Sequence, residues 1–97
     1  MLYAVLFEDD PAVAAEARRT HMAAHLAFLD EQAGRIRAAG PLATAEGQVP
    51  GGLWLVEAES FETVEALVRA DPFWPTGLRR SVTIRAWRQV FADGRRL

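Results

Sequence analysis

At 97 residues the chain has room for one domain and one hydrophobic core, which argues against a second independently folding unit. Its formal net charge is −2, and its eleven basic residues, all Arg, are spread along the chain, which argues against a nucleic-acid partner. The absence of cysteine excludes a disulfide framework, a thiol nucleophile and a thiolate metal site.

Met1 leads straight into strand-like sequence with no basic and apolar leader, and no apolar run reaches membrane length, so the expected address is cytoplasmic with no membrane partner. Leu2 to Phe7 is β-rich and apolar on both alternations: Leu2, Ala4 and Leu6 on one, Tyr3, Val5 and Phe7 on the other. Glu8-Asp9-Asp10-Pro11 ends the strand, and Pro11 suits the opening of a helix. From about Val13 to Arg37, Met22, Leu26, Leu29, Ala33 and Ile36 recur every three or four residues, which predicts a helix that buries this stripe. Gly40-Pro41 marks its end.

Pro41 to Ala45 then predicts a short strand, Glu46 to Gly52 a loop, and Leu53 to Ala58 a second strand of the same hairpin. Ser60 has the character of an N-cap, with Glu62 in the first turn of a helix that runs to about Arg69 and turns Phe61, Val64, Leu67 and Val68 inward. A short helix from Pro72 to Thr76 fits between Asp71 as its cap and Gly77 as its terminator. Ser81 to Trp87 has strand propensity. The order is βαββαβ, an α+β domain of ferredoxin-like plan with both helices on one face of an antiparallel sheet. Strands one and three nevertheless carry large apolar residues on both faces, among them Tyr3, Phe7, Trp54 and Val56 in one alternation or the other. A sheet face left to water would alternate apolar with polar, so a homodimer is expected in which two sheets pack face to face about a twofold axis.

His21 and His25 lie four residues apart on the predicted first helix and form, with Arg18, one polar ridge beside the apolar stripe. A neutral His at the edge of such a cleft can take a proton near physiological pH. The same spacing also suits ordinary surface histidines. A zinc site lacks a third ligand, and Met22 stands where a metalloprotease motif needs Glu, so no metal is expected. Asp71 fits a cap, and a carboxylate in that place can also fix the tautomer of a neighbouring His. Arg79 or Arg80 can meet an anion with a bidentate fork, or simply be solvated. Trp54, Trp74, Trp87 and Phe73 suit the walls of a pocket as well as they suit core or interface. Gly47 with Gly51-Gly52 lacks the Lys-Ser/Thr ending of a phosphate loop, and Ser60 and Ser81 have no base nearby in sequence, so neither a nucleotide cofactor nor a Ser nucleophile is supported.

Taken together, Tyr3 to Pro11, Arg18 through His21 to Ala24-His25-Leu26-Ala27-Phe28-Leu29, Gly40-Pro41-Leu42, Gly51 to Ala58, Asp71-Pro72-Phe73, Gly77-Leu78-Arg79 and the strand closing at Trp87 resemble, in order and spacing, the YciI-like (YCII-related domain) family over nearly the full length. The resemblance implies a dimeric α+β barrel. It also implies an active site in which a His of the first helix meets the Asp of the Asp-Pro-Phe segment, here His25 and Asp71, with Arg18 and His21 matching as further members; Arg79 joins them as a binding candidate on its residue type. The implied activity is of lyase, dehydrohalogenase or isomerase type on a small molecule, without a cofactor. The alternative is a dimeric ligand-binding or accessory module with no chemistry. The chain departs from the pattern at Pro75 and in the tail from Arg88 to Leu97, for which contact with a partner subunit and an extended form both stay open, as does assembly beyond the dimer.

Overall fold

The structure, a computed structural model, describes residues 1–97. Its central strand is β1 (Leu2–Asp9), flanked by β3 (Gly51–Glu57) and β4 (Arg79–Ala86), with β2 (Ile36–Leu42) at the far edge, giving the antiparallel order β2-β3-β1-β4. Helices α1 (Ala14–Glu31) and α2 (Phe61–Ala70) complete the βαββαβ order of the ferredoxin-like plan.

The alternation of β1 settles which face is which. Tyr3, Val5, Phe7 and Asp9 are buried, and Val5 sits between Trp54 of β3 and Ile84 of β4. Trp54 and Val56 share that covered face, where Phe28 of α1 and Val64, Leu67 and Val68 of α2 close the core. Leu2, Ala4 and Leu6 point the other way and lie opposite Glu57, Leu55 and Leu53, on a face that no helix covers. Leu6, in its centre, is 42 % exposed.

α2 follows its sequence closely. Ser60 is extended, and its Oγ accepts from the Thr63 N–H at 3.2 Å, a cap that satisfies one free donor of the first turn. The helix ends at Asp71, whose extended backbone is what a following Pro requires. Phe61 does not turn inward: it is largely exposed, and its ring meets the buried Tyr3 edge-on at 4.9 Å.

α1 departs from its expected course in both length and phase. It stops at Glu31, and a turn over residues 32–35 leads into β2, so Ile36 is a buried strand residue opposite Val56 and the strand predicted from Pro41 to Ala45 in fact starts five residues earlier and ends at Leu42. The buried residues are Ala14, Ala17, His25 and Phe28, a face rotated by roughly 100° from the Met22–Leu29 stripe, one residue's step around a helix. Leu26 is 52 % exposed. Beyond β4, the tail folds back as a hairpin of β5 (Phe91–Ala92) and β6 (Arg95–Arg96), turning at Asp93-Gly94, with Val90, Phe91 and Leu97 exposed. No helix is long and apolar enough to cross a membrane.

Candidate active site

Four chain segments converge at one end of the covered sheet face. β1 delivers Asp9 at its last position, where the pairing with β4 is irregular and sets Asp9 opposite Arg79. α1 supplies Arg18 and His25. Asp71 stands at the junction of α2 with a short 3₁₀ turn (Trp74–Thr76), and Gly77, at φ 80°, closes that turn in the left-handed conformation and sends the chain into β4.

His25 and Asp71 are both buried, at 8 % and 2 % exposure, and His25 Nδ1 lies 2.8 Å from Asp71 Oδ1. The same oxygen accepts from the backbone N–H of Phe73 at 3.1 Å, so capping the turn and meeting the histidine are one arrangement. A carboxylate can only accept, which places a ring proton on Nδ1 and, in the neutral ring, leaves the lone pair on Nε2, which has no protein partner. The Phe73 ring stacks on the imidazole with centroids 4.4 Å apart. Ring orientation and tautomer are thus fixed from two sides.

Behind this pair lies an ionic cluster. Arg79 Nη1 donates to Asp9 Oδ1 at 3.0 Å, and Arg18 Nη2 donates to Asp9 Oδ2 at 2.9 Å and to the Val49 carbonyl at 3.4 Å. Arg79 Nη2 comes within 3.9 Å of Asp71 Oδ2, beyond hydrogen-bonding distance. The Arg79 guanidinium also lies over the Phe7 ring, 4.1 Å from its centroid. Two guanidinium groups thus face two carboxylates, and the site carries no net charge while His25 is neutral.

A cavity of about 300 Å³ opens beside the cluster, between α1 and the β2–β3 edge of the sheet. His25, Arg18, Asp9 and Arg79 line its polar side; Phe7, Trp54, Phe73, Leu78 and the displaced stripe of Met22, Leu26 and Leu29 line its apolar side. Its volume lies at the small end of ligand sites. The apolar run on α1 is therefore a cavity wall, with Leu29 alone of the three also packed against the core. No three His, Asp or Glu side chains converge as a metal-binding set would.

Of the residues singled out from sequence, His25, Asp71, Arg18 and Arg79 come together, while His21 does not reach the cavity and instead lines a separate groove with Glu16, Thr20, Pro75 and Thr76. Arg79, with its side chain 9 % exposed, is tied down by carboxylates and is not a free fork; Arg80 is solvated and approaches Glu8. Asp9 is the member that sequence reasoning passed over as part of a strand end. Its signal was the alternation itself, since a strand that buries positions 3, 5 and 7 also turns position 9 inward, and a buried carboxylate needs a cationic partner.

Comparison with known proteins agrees with this arrangement of elements. Protein YciI of Escherichia coli O6:H1 and that of Shigella flexneri are each 32 % identical to the chain over 99 residues, covering 94 % of it and all of the relative. Among solved structures, the 5-chloro-2-hydroxyhydroquinone dehydrochlorinase TftG of Burkholderia phenoliruptrix AC1100, in complex with 2,5-dihydroxybenzoquinone, superposes with a TM-score of 0.80 at 30 % identity, over 91 % of this chain and 94 % of its own. A NIPSNAP domain protein from Burkholderia xenovorans, at 14 % identity and a TM-score of 0.50 over 96 % of this chain and all of its own, shares the fold alone. Residues 1–88 match the YCII-related domain, and with these relatives they place the chain in the YCII-related family of YciI-like proteins.

Proposed function

We propose that this protein is a cofactor-independent enzyme that moves a proton on a small ring compound, with His25 as general acid/base and Asp71 orienting it. The observation that carries this reading is the asymmetry of the His25 ring: Nδ1 is anchored on a buried carboxylate at 2.8 Å, while Nε2 is left without a protein partner in a ring that lines an apolar cavity. Nε2 takes a proton from an acidic O–H or C–H of the substrate, and the electron pair left behind moves into the ring. In an elimination that pair expels a leaving group as its anion, and the imidazolium returns the proton to solvent. In an isomerisation the imidazolium delivers the proton to another ring carbon. Asp71 balances the imidazolium in either case, and the nitrogens of Arg18 not engaged by Asp9 can hold a substrate oxygen at the cavity mouth. The dehydrochlorinase activity of TftG supports the elimination branch.

The same reading takes the working unit as a homodimer, because the sheet face of Ala4, Leu6, Leu53 and Leu55 has no cover within the chain. Sedimentation of the parent as a dimer and of Leu6→Glu as a monomer is the expected result; a monomeric parent refutes the pairing.

The test of the chemistry is chloride release from 5-chloro-2-hydroxyhydroquinone and related hydroxylated chloro-rings. His25→Ala is expected to lose about a hundredfold or more in turnover with its fold intact, the usual worth of a positioned acid/base. A variant as active as the parent refutes the assignment, and a parent that binds such rings without converting them identifies a binding module instead.

A further inference from the structure

We propose that Asp9 is a positioning residue: it holds Arg79 away from Asp71, so that the Asp71 carboxylate remains the partner of His25. The inference rests on the reading of His25 and Asp71 given above. Asp9 is buried and accepts one arginine on each oxygen, Arg79 on Oδ1 and Arg18 on Oδ2. Arg79 therefore stands between two carboxylates and is biased toward one, bonded to Asp9 at 3.0 Å and stopped 3.9 Å short of Asp71. Its capacity is not exhausted, because the Nε–H is buried with no acceptor. The ring centroids of Phe7 and Phe73 lie 4.1 and 5.3 Å from the guanidinium carbon and favour its staying in the plane between the two acids. A movement of about 1 Å brings Nη2 within hydrogen-bonding distance of Asp71.

Without the Asp9 carboxylate, Asp71 is the remaining acid within reach of this cation. Arg79 then closes on Asp71 and draws its charge away from the His25 Nδ1–H, the bond that fixes the tautomer. Asp9 thus acts on the histidine through an arginine and touches neither the ring nor the substrate.

Nitrogen-15 NMR of the His25 ring tests this without any substrate, because neutral Nδ1–H and Nε2–H tautomers have distinct signatures at about pH 9, where an ordinary imidazole is neutral. The parent shows the Nδ1–H form. In Asp9→Leu the ratio of Nδ1–H to Nε2–H falls by about fivefold or more, the scale of one weakened hydrogen bond. In Asp9→Leu/Arg79→Met the cation placed beside Asp71 is gone, the part-exposed Arg18 is left to solvent, and the parental ratio returns. A merely structural Asp9 gives the opposite order, with the double variant no better than the single. An unchanged ratio in Asp9→Leu overturns the proposal, as does its loss in both variants. Where Asp9→Leu does not fold, Asp9→Asn is read in its place, with the same expected fall and the same overturning result. A parent without the Nδ1–H form overturns instead the reading of His25 and Asp71 on which this inference depends.

Discussion

At the end of the covered sheet face that holds Tyr3 and Val56, the packing is apolar throughout, from Ile36 and Ala58 to Val64, Leu67 and Val68. At the other end, the same sheet and the same two helices enclose Asp9, His25, Asp71 and Arg79. The first end supplies stability in the ordinary way, by removing hydrocarbon from water. The second forgoes part of that gain, since a buried ion pair rarely outweighs the desolvation of its charges. A domain of this size has little stability in reserve, so an ionic end that could have been hydrocarbon points to a use for the charges.

The contrast is broken most severely by removing one charge of the ionic end. Asp9→Leu is expected to lower the unfolding free energy in urea by about 4 kcal/mol, because it removes the acceptor of two arginines and leaves the buried Arg79 only Asp71, which His25 already shares. Replacing both partners, in Asp9→Leu/Arg79→Met, is expected to recover most of that loss. A single variant as stable as the parent would mean that water reaches the cluster freely and that its burial contributes nothing.

The apolar end is probed by Leu67→Ala, with an expected loss of about 3 kcal/mol from the side-chain atoms removed and the cavity they leave. The His25 ring signature is expected to stay as in the parent, since substitutions at well-separated sites act nearly independently. A change in that signature would join the two ends into one cooperative unit and dissolve the distinction between them.

How far the sequence revealed this division depended on which signals are local. The alternation of β1, the Ser60 cap and the Gly77 terminator were legible because each rests on backbone geometry within a few residues. The end of α1 was not, because Ile36 continues the helical spacing of Leu29 by coincidence and only its pairing with Val56, distant in sequence, claims it for β2. The phase of α1 misled for a related reason. Ala on most sides of this helix gives a weak pattern, and the strongest apolar stripe belongs to a cavity wall, a distinction that periodicity does not contain. His25 and Asp71 stood out by residue type and by family resemblance. Asp9 required an expectation of burial at a charged position and a partner seventy residues away.

The smallest expected effect comes from comparing two caps at opposite ends of α2. Ser60 serves the helix start alone, its Oγ receiving the Thr63 N–H, whereas Asp71 serves the turn after the helix and the catalytic candidate with one oxygen. Ser60→Ala is therefore expected to cost about 1 kcal/mol of stability in urea and to leave the His25 tautomer untouched. The first turn of α2 lies at the apolar end, where Phe61 rests on Tyr3, and a local loss of capping can be absorbed by fraying that turn. If the tautomer changed as well, α2 would be acting as a rigid lever that transmits the geometry of its start to Asp71 at its end, and the ionic end would depend on the apolar end for its alignment as well as for its stability.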